Sequence, residues 1–396
     1  MVEKTGDKTD RVVIIGGGPA GLSAARAYRG SGGPGSVRII SADTDAPYER
    51  PQLSKEFLRG EAEDKDLPLV DTEFYRDHDI TLSLDEPVTS LDTAARTVTT
   101  ASGETVSYTT CVLATGSEPA RPPFDGADHP DVHLLRSATS ARRLREAASD
   151  ARSAIVVGSG FIGCEAAVSL ARKGVQVTLF TPESLPQAAR LGDIAGKRIL
   201  HWLKAEGVSV LTETEVDGIE DGFRVHTDLV PTLDAGMVLL ATGIEPRIDL
   251  AKGAGLDIAD GRVRVDEHMR TSADGVLAAG DIALAHNTSA GRALRVEHWG
   301  EALTMGEIAG RTAAGDQANW DNAPGFWTVI GDKVLKYAAW GDGFDQTEVV
   351  NYADGGFTVW YGKEGTTVGV LTHDADADYA RGTELVESGA PLPKES

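Results

Sequence analysis

The chain has 396 residues, with 61 acidic and 38 basic side chains and a formal net charge of −23. That length suits two or three domains with substantial cores, and that charge argues against nonspecific binding to nucleic acid or to an anionic membrane. Two cysteines, Cys111 and Cys164, are too few for a disulfide framework, and no run approaches the roughly 18 apolar residues of a membrane span.

Residues Met1 to Asp10 are polar and lack the apolar core of a secretory signal, so a cytoplasmic protein is expected. Val12 to Ile15 then reads as a buried parallel strand. Gly16, Gly18 and Gly21 follow in the spacing G-x-G-x-x-G, and the Ala-rich stretch from Leu22 to Arg29 reads as the helix they open. Such glycines allow a tight turn, a close approach of backbone N–H groups to a pyrophosphate, and tight packing of helix on strand. The helix N-terminus faces the phosphates with its partial positive charge. Val37 to Ser41 is the second strand, with Ala42 and Asp43 at its end, where a carboxylate can accept hydrogen bonds from ribose hydroxyls. A turn role for Asp43 is the alternative.

Pro47 to Lys55 is stiffened by two prolines, and Ser54 is expected to cap a helix over Lys55 to Arg59. The segment from Thr81 to Val106, with Val88 in it, reads as antiparallel hairpins capping a parallel sheet. Thr110 to Leu113 is another buried strand and ends in Ala114-Thr115-Gly116; a proline-rich exit containing Arg121 follows.

The pattern then repeats. Ala154 to Val157 is a strand, Gly158, Gly160 and Gly163 form a second G-x-G-x-x-G, and a helix runs from Cys164 to Arg172. Gln176 to Phe180 is the second strand of this unit, ending at Thr181, Pro182 and Glu183. A helix is expected over Ile194 to Glu206, and Met237 to Leu240 closes on Ala241-Thr242-Gly243. Two dinucleotide cradles in one chain imply two dinucleotides, one resident and one exchanged. A strand over Thr271 to Asp281 delivers Gly280 and Asp281 at its carboxyl end, and Glu297, His298 and Trp299 precede a helix over Gly300 to Ala313. From about Asp321 short strands and a terminal helix, Ala375 to Ser388, read as a small α+β domain suited to an interface. The expected domains are 1–117 with 245–320, then 118–244, then 321–396. The fold class is α/β with two Rossmann-like domains, and no metal site is expected.

These motifs together resemble the FAD-dependent ferredoxin reductases of the glutathione-reductase fold, the group of putidaredoxin, rubredoxin and rhodocoxin reductases and of dioxygenase reductase components. The resemblance rests on Gly16 to Gly21, on P-Y-x-R-P-x-L-S-K at Pro47 to Lys55, on both A-T-G turns, on G-x-G-F-I-G-x-E at Gly158 to Glu165, on Gly280-Asp281 and on Glu297 to Trp299. It implies that FAD lies against Gly16, Gly18, Pro19, Ala20, Gly21, Ala42, Asp43, Arg50, Lys55, Val88, Ala114, Thr115, Gly116, Arg121, Gly280, Asp281, Glu297, His298 and Trp299. The match at Arg121 needs a slip of one residue. NADH or NADPH, as exchanging cosubstrate, is implied to meet Gly158, Gly160, Phe161, Ile162, Gly163, Glu165, Thr181, Glu183, Thr242 and Gly243.

Within that set, Lys55, Glu165, Phe161 and Trp299 are the expected catalytic group: Lys55 at the flavin edge beside Glu165, Phe161 shielding the flavin, Trp299 opening a helix aimed at the ring. Many NADH-preferring relatives carry Glu where Thr181 stands, but no arginine pair for a 2′-phosphate lies beside it, so NADH is favoured. The implied partner is an acidic iron–sulfur ferredoxin serving a cytochrome P450 or ring-hydroxylating oxygenase. Candidate cations for its docking are Arg142, Arg143, Arg145, Arg292, Arg295, Arg311, Lys333 and Lys336. A disulfide reductase is disfavoured because no cysteine lies between Asp43 and Lys55. An NADH oxidase or peroxidase, and an NADH-sensing flavoprotein resembling apoptosis-inducing factor, remain the alternatives.

Overall fold

A computed structural model describes residues 10–393; the stretch read for a secretory signal lies almost wholly outside them. The chain divides into two compact units. One takes the residues up to Glu49, Pro68–Ser117 and Pro246–Gly325; the other takes Arg50–Leu67, Glu118–Glu245 and the residues from Phe326 onward.

In the first unit, Arg11–Ile15 lies at the centre of a five-stranded parallel sheet. Ser36–Ile40 and Thr110–Leu113 flank it, with Ile80–Ser83 and Val276–Ala278 at the edges. Its apolar residues are buried, as suits a parallel sheet covered on both faces. The helix Pro19–Gly30 packs backbone to backbone on the helix Trp299–Ala313. A Cβ at Gly306 would fall 2.3 Å from the Ala20 carbonyl oxygen, and one at Gly310 2.2 Å from that of Ala24.

The second unit repeats the parallel design in the order Ser209–Leu211, Gln176–Phe180, Ser153–Val157, Met237–Leu240 and Val132–Leu134. The helix Phe161–Arg172 follows its central strand. A separate five-stranded sheet is built from Gly325–Ile330, Lys333–Ala339, Thr366–His373, Phe357–Lys363 and Gln346–Asn351, in that order. The helix Asp376–Ser388 lies so close on it that a Cβ at Gly382 would meet Val370 at 2.5 Å. The α/β class and both Rossmann-like units are as expected. Among the described residues no helix is long and apolar enough to cross a membrane.

Several expectations need correction. Ile80–Ser83 joins the parallel sheet beside Ser36–Ile40, and only Val88–Asp92, Thr97–Thr100 and Thr105–Ser107 form the antiparallel ribbon. The alternation of Thr81 to Val106 blurred two sheets into one. The helix expected from Ile194 starts at Ala188 and crosses a kink at Gly192, whose φ of 77° is left-handed. The Ser54 expectation fails. Lys55, not Ser54, occupies the cap position of the short helix Glu56–Arg59, with no side-chain cap, and the Ser54 hydroxyl is used elsewhere. The strand expected over Thr271 to Asp281 is only Val276–Ala278. Arg50–Leu67, expected with the first domain, groups with the second unit, because Lys55, Glu63 and Asp64 pair with Glu165, Arg145 and Arg142 there.

Candidate functional site

The two G-x-G-x-x-G turns close in the same way at their first and third glycines. A Cβ on Gly16 would lie 2.1 Å from the Ala114 carbonyl oxygen, and one on Gly158 2.4 Å from that of Ala241. A Cβ on Gly21 would lie 2.1 Å from the Gly16 oxygen, and one on Gly163 2.1 Å from the Gly158 oxygen. Gly16 and Gly158 have φ of 119° and 106°, which side chains rarely adopt. Gly18 and Gly160 stand at the N-caps of the two helices, and neither helix has a side-chain cap. At Gly160 the space a Cβ would take meets only the Ala241 oxygen, at 3.8 Å. Uncapped first-turn amides beside an open glycine form an anion cradle. Both A-T-G turns are fixed in the same way: Thr115 donates to the Arg247 carbonyl at 2.8 Å, and Thr242 donates to the Ala120 carbonyl at 3.0 Å.

Around the first cradle, Asp43 accepts from the Tyr48 hydroxyl at 2.9 Å and from the Asp45 amide at 3.2 Å. It therefore makes an Asx turn, and each oxygen keeps a second lone pair for a ligand. Asp281 is buried and accepts from Ser117 Oγ at 2.6 Å. Gly280, φ 79°, sits where a Cβ would press on Ala20. Val88 is half-buried in the antiparallel ribbon. Glu297 pairs with Arg262, and His298 stands at the N-cap position of the helix that Trp299 starts, with no side-chain cap bond. One turn inside, Glu301 is buried and accepts from Trp320 Nε1 at 3.0 Å, Asn322 Nδ2 at 3.3 Å and the Gly325 amide at 3.4 Å. Burial raises its carboxyl to about 7, against these hydrogen bonds, which lower it. Arg262 and Glu301 were not anticipated from the sequence; each was one more charge in an apparently exposed pattern.

In the second unit, Glu165 is the centre of a buried polar knot. Lys55 Nζ donates to its Oε2 at 3.0 Å and Ser54 Oγ to the same oxygen at 2.5 Å. Thr328 Oγ1 and the Val329 amide donate to Oε1 at 2.7 and 3.2 Å. Lys55 and Glu165 are thus brought together as expected, while Ser54 and Thr328 are additions that local patterns could not show. Phe161 opens its helix with its ring 4.5 Å from that of Phe326, and the Arg190 guanidinium lies 5.7 Å from it. Thr181 is buried and accepts from Ser159 Oγ at 2.8 Å and from the Glu183 amide at 3.2 Å. The Glu183 carboxylate in turn accepts from the Ala189 amide at 2.8 Å.

Arg121 is exposed and donates to the Ala127 carbonyl. Arg50 opens a short 3-10 turn. Among the docking cations, Arg142, Arg145, Arg311 and Lys336 each pair with a carboxylate. Cys111 and Cys164 are free and buried, and burial pushes both thiols up.

The residues present fit two dinucleotides: each uncapped helix start with its glycine turn has the form of a pyrophosphate seat, and each has a carboxylate or hydroxyl at the end of the next strand. Rubredoxin-NAD(+) reductase of Pseudomonas putida is 32% identical over 330 residues, which cover 82% of this chain and 85% of that protein. Ferredoxin–NAD(P)(+) reductase of a Sphingomonas species is 32% identical over 390 residues, covering 96% and 93%. Putidaredoxin reductase, in its covalent complex with putidaredoxin, superposes with a TM-score of 0.92 at 27% identity, over 97% of this chain and 94% of that one. With the family profile matching residues 10–306 across both cradles, the chain belongs to the pyridine nucleotide-disulphide oxidoreductase family.

Proposed function

We propose that this protein is a cytoplasmic reductase that passes electrons from NADH through FAD to a small iron–sulfur ferredoxin serving a cytochrome P450 or ring-hydroxylating oxygenase. The single observation that carries this reading is the matched pair of glycine cradles, in each of which equivalent carbonyls close the Cβ positions of the first and third glycines. FAD is assigned to 1–49 and 68–117 with 245–320, the nicotinamide nucleotide to 118–244, and the interface role to 321–396, with Arg50–Leu67 grouped with the second unit. Two-electron nicotinamide chemistry and one-electron release to an iron–sulfur centre are what a bound flavin supplies.

The chain's own residues hold and orient. The first-turn amides after Gly18 and Gly160 bind the two pyrophosphates. Asp43 and Asp281 accept from sugar and ribityl hydroxyls. Phe161 is assigned to the nicotinamide face, where its contact with Phe326 gives it a defined resting place. Lys55, fixed by Glu165, supplies a cation of set position at the reacting edge of the ring. The helix beginning at Trp299 offers its N–H groups where negative charge accumulates. NADH is preferred over NADPH, because the Thr181 end of the second strand offers no paired arginines to a 2′-phosphate.

The test is anaerobic stopped-flow reduction with NADH and with NADPH, followed by addition of candidate ferredoxins. Fast bleaching of a flavin spectrum by NADH and its recovery on adding ferredoxin are expected. A colourless protein that stays colourless after incubation with FAD would end the proposal, and oxygen uptake faster than ferredoxin reduction would favour an oxidase.

A further inference from the structure

Arg262 is buried at the start of the strand Arg262–Val265, where Val263 and Val265 are buried as well and Arg264, two residues on along the same face, is exposed. Placing a guanidinium there costs several kcal/mol of desolvation, and an apolar side chain would fill a core position more cheaply. The guanidinium's hydrogen bonds reach three points: Nε donates to the Asp281 carbonyl at 3.2 Å, one terminal nitrogen to the Asp260 carbonyl at 3.3 Å, and the other to Glu297 Oε1. Two of these points are significant. Asp281 lies within the turn that follows the strand Val276–Ala278, and Glu297 stands two residues before the helix Trp299–Ala313.

That helix start carries a partial charge of roughly +0.5 from its aligned peptide dipoles. A bare carboxylate at Glu297 would cancel it. With Arg262 in place the carboxylate is compensated, and the positive end of the helix is restored. The carboxyl inside the first turn, Glu301, is enclosed by donors from Trp320, Asn322 and Gly325.

We infer that Arg262 is a positioning residue that neutralises Glu297 beside the Trp299–Ala313 helix start and thereby sets how readily the bound flavin accepts electrons. The inference rests on the flavin reading above. Reduction adds negative charge to the ring, and the field at this helix start decides part of its stabilisation. The same contacts fix the distance between the Asp281 turn and Glu297, so Arg262 also holds two flavin-facing segments in register.

The decisive experiment measures the midpoint potential of the bound flavin by dye equilibration in Arg262→Met, Glu297→Gln and the double variant, with the visible spectrum of each. Arg262→Met is expected to shift the potential to more negative values, since it leaves Glu297 uncompensated. Glu297→Gln shifts it to more positive values, since it leaves Arg262 uncompensated. The double variant returns close to the wild-type value, a recovery that loss of packing alone would not give. If Arg262→Met fails to fold, Glu297→Gln alone still decides by the sign of its shift. Flavin bound in all variants at an unchanged potential, or a double variant as low as Arg262→Met, would overturn the inference and leave the flavin reading intact. A protein that takes up no flavin would sink both.

Discussion

Lys55 Nζ lies 3.0 Å from Glu165 Oε2, and both side chains are nearly sealed from water. An ion pair in that setting costs its desolvation, so it adds little net stability, but removing one member leaves the other charge stranded. Lys55→Met and Glu165→Ala are each expected to destabilise the protein by about 3–5 kcal/mol. Glu165→Gln, which keeps an acceptor for Thr328, is expected to cost less. Denaturant titrations of the three variants check the order, and a Lys55→Met variant as stable as wild type would contradict it.

The glycine cradles give a test that separates the two nucleotides. Gly16→Ala forces a Cβ to 2.1 Å from the Ala114 oxygen, and Gly158→Ala forces one to 2.4 Å from that of Ala241. Gly16→Ala is expected to yield protein that does not retain FAD. Gly158→Ala is expected to purify yellow, with a KM for NADH raised at least tenfold. Flavin content by absorbance and steady-state kinetics read the two outcomes. The reverse pattern would exchange the domain assignments.

Glu301 makes stability depend on pH. Its folded-state value of about 7 lies above the ordinary 4.5, so the fold prefers the protonated form. The contribution is full below about pH 4.5 and is lost as pH rises through 7, for a total on the order of 3 kcal/mol. The thermal midpoint of wild type should therefore fall more between pH 5 and pH 8.5 than that of Glu301→Gln. Parallel curves would show that Glu301 is ionised throughout.

Neither cysteine is expected to take part in electron transfer. Cys111 and Cys164 are fully buried and their thiols are held protonated. Native protein should resist a thiol reagent for as long as it stays folded, and Cys111→Ala with Cys164→Ala together should keep ferredoxin reduction within about twofold of wild type. Loss of turnover in the double variant would return the disulfide-reductase alternative to consideration.

The parts of the site visible in the sequence are those whose physics is local. Gly16 and Gly158 are legible because turn, helix start and preceding strand lie within a dozen residues. Ser54 was misread because a serine before a helix looks like a cap, whereas its partner Glu165 is 111 residues away. Thr328 was hidden for the same reason, 163 residues from Glu165. Arg262 stood in an alternating Arg-Val-Arg-Val run that does not say which arginine points inward. The strand Ile80–Ser83 was lost because its register against Val37–Ile40 is set by the sheet and not by its own composition.

The close pairing of the Pro19–Gly30 and Trp299–Ala313 helices through Gly306 and Gly310 has a mechanical result. Pieces of chain almost three hundred residues apart are locked into one girder, so the turn proposed to grip a phosphate tail and the helix start proposed to face the ring would share a common foundation. Wedging them apart by a single methyl at Gly306, 2.3 Å from the Ala20 oxygen, would loosen both ends at once.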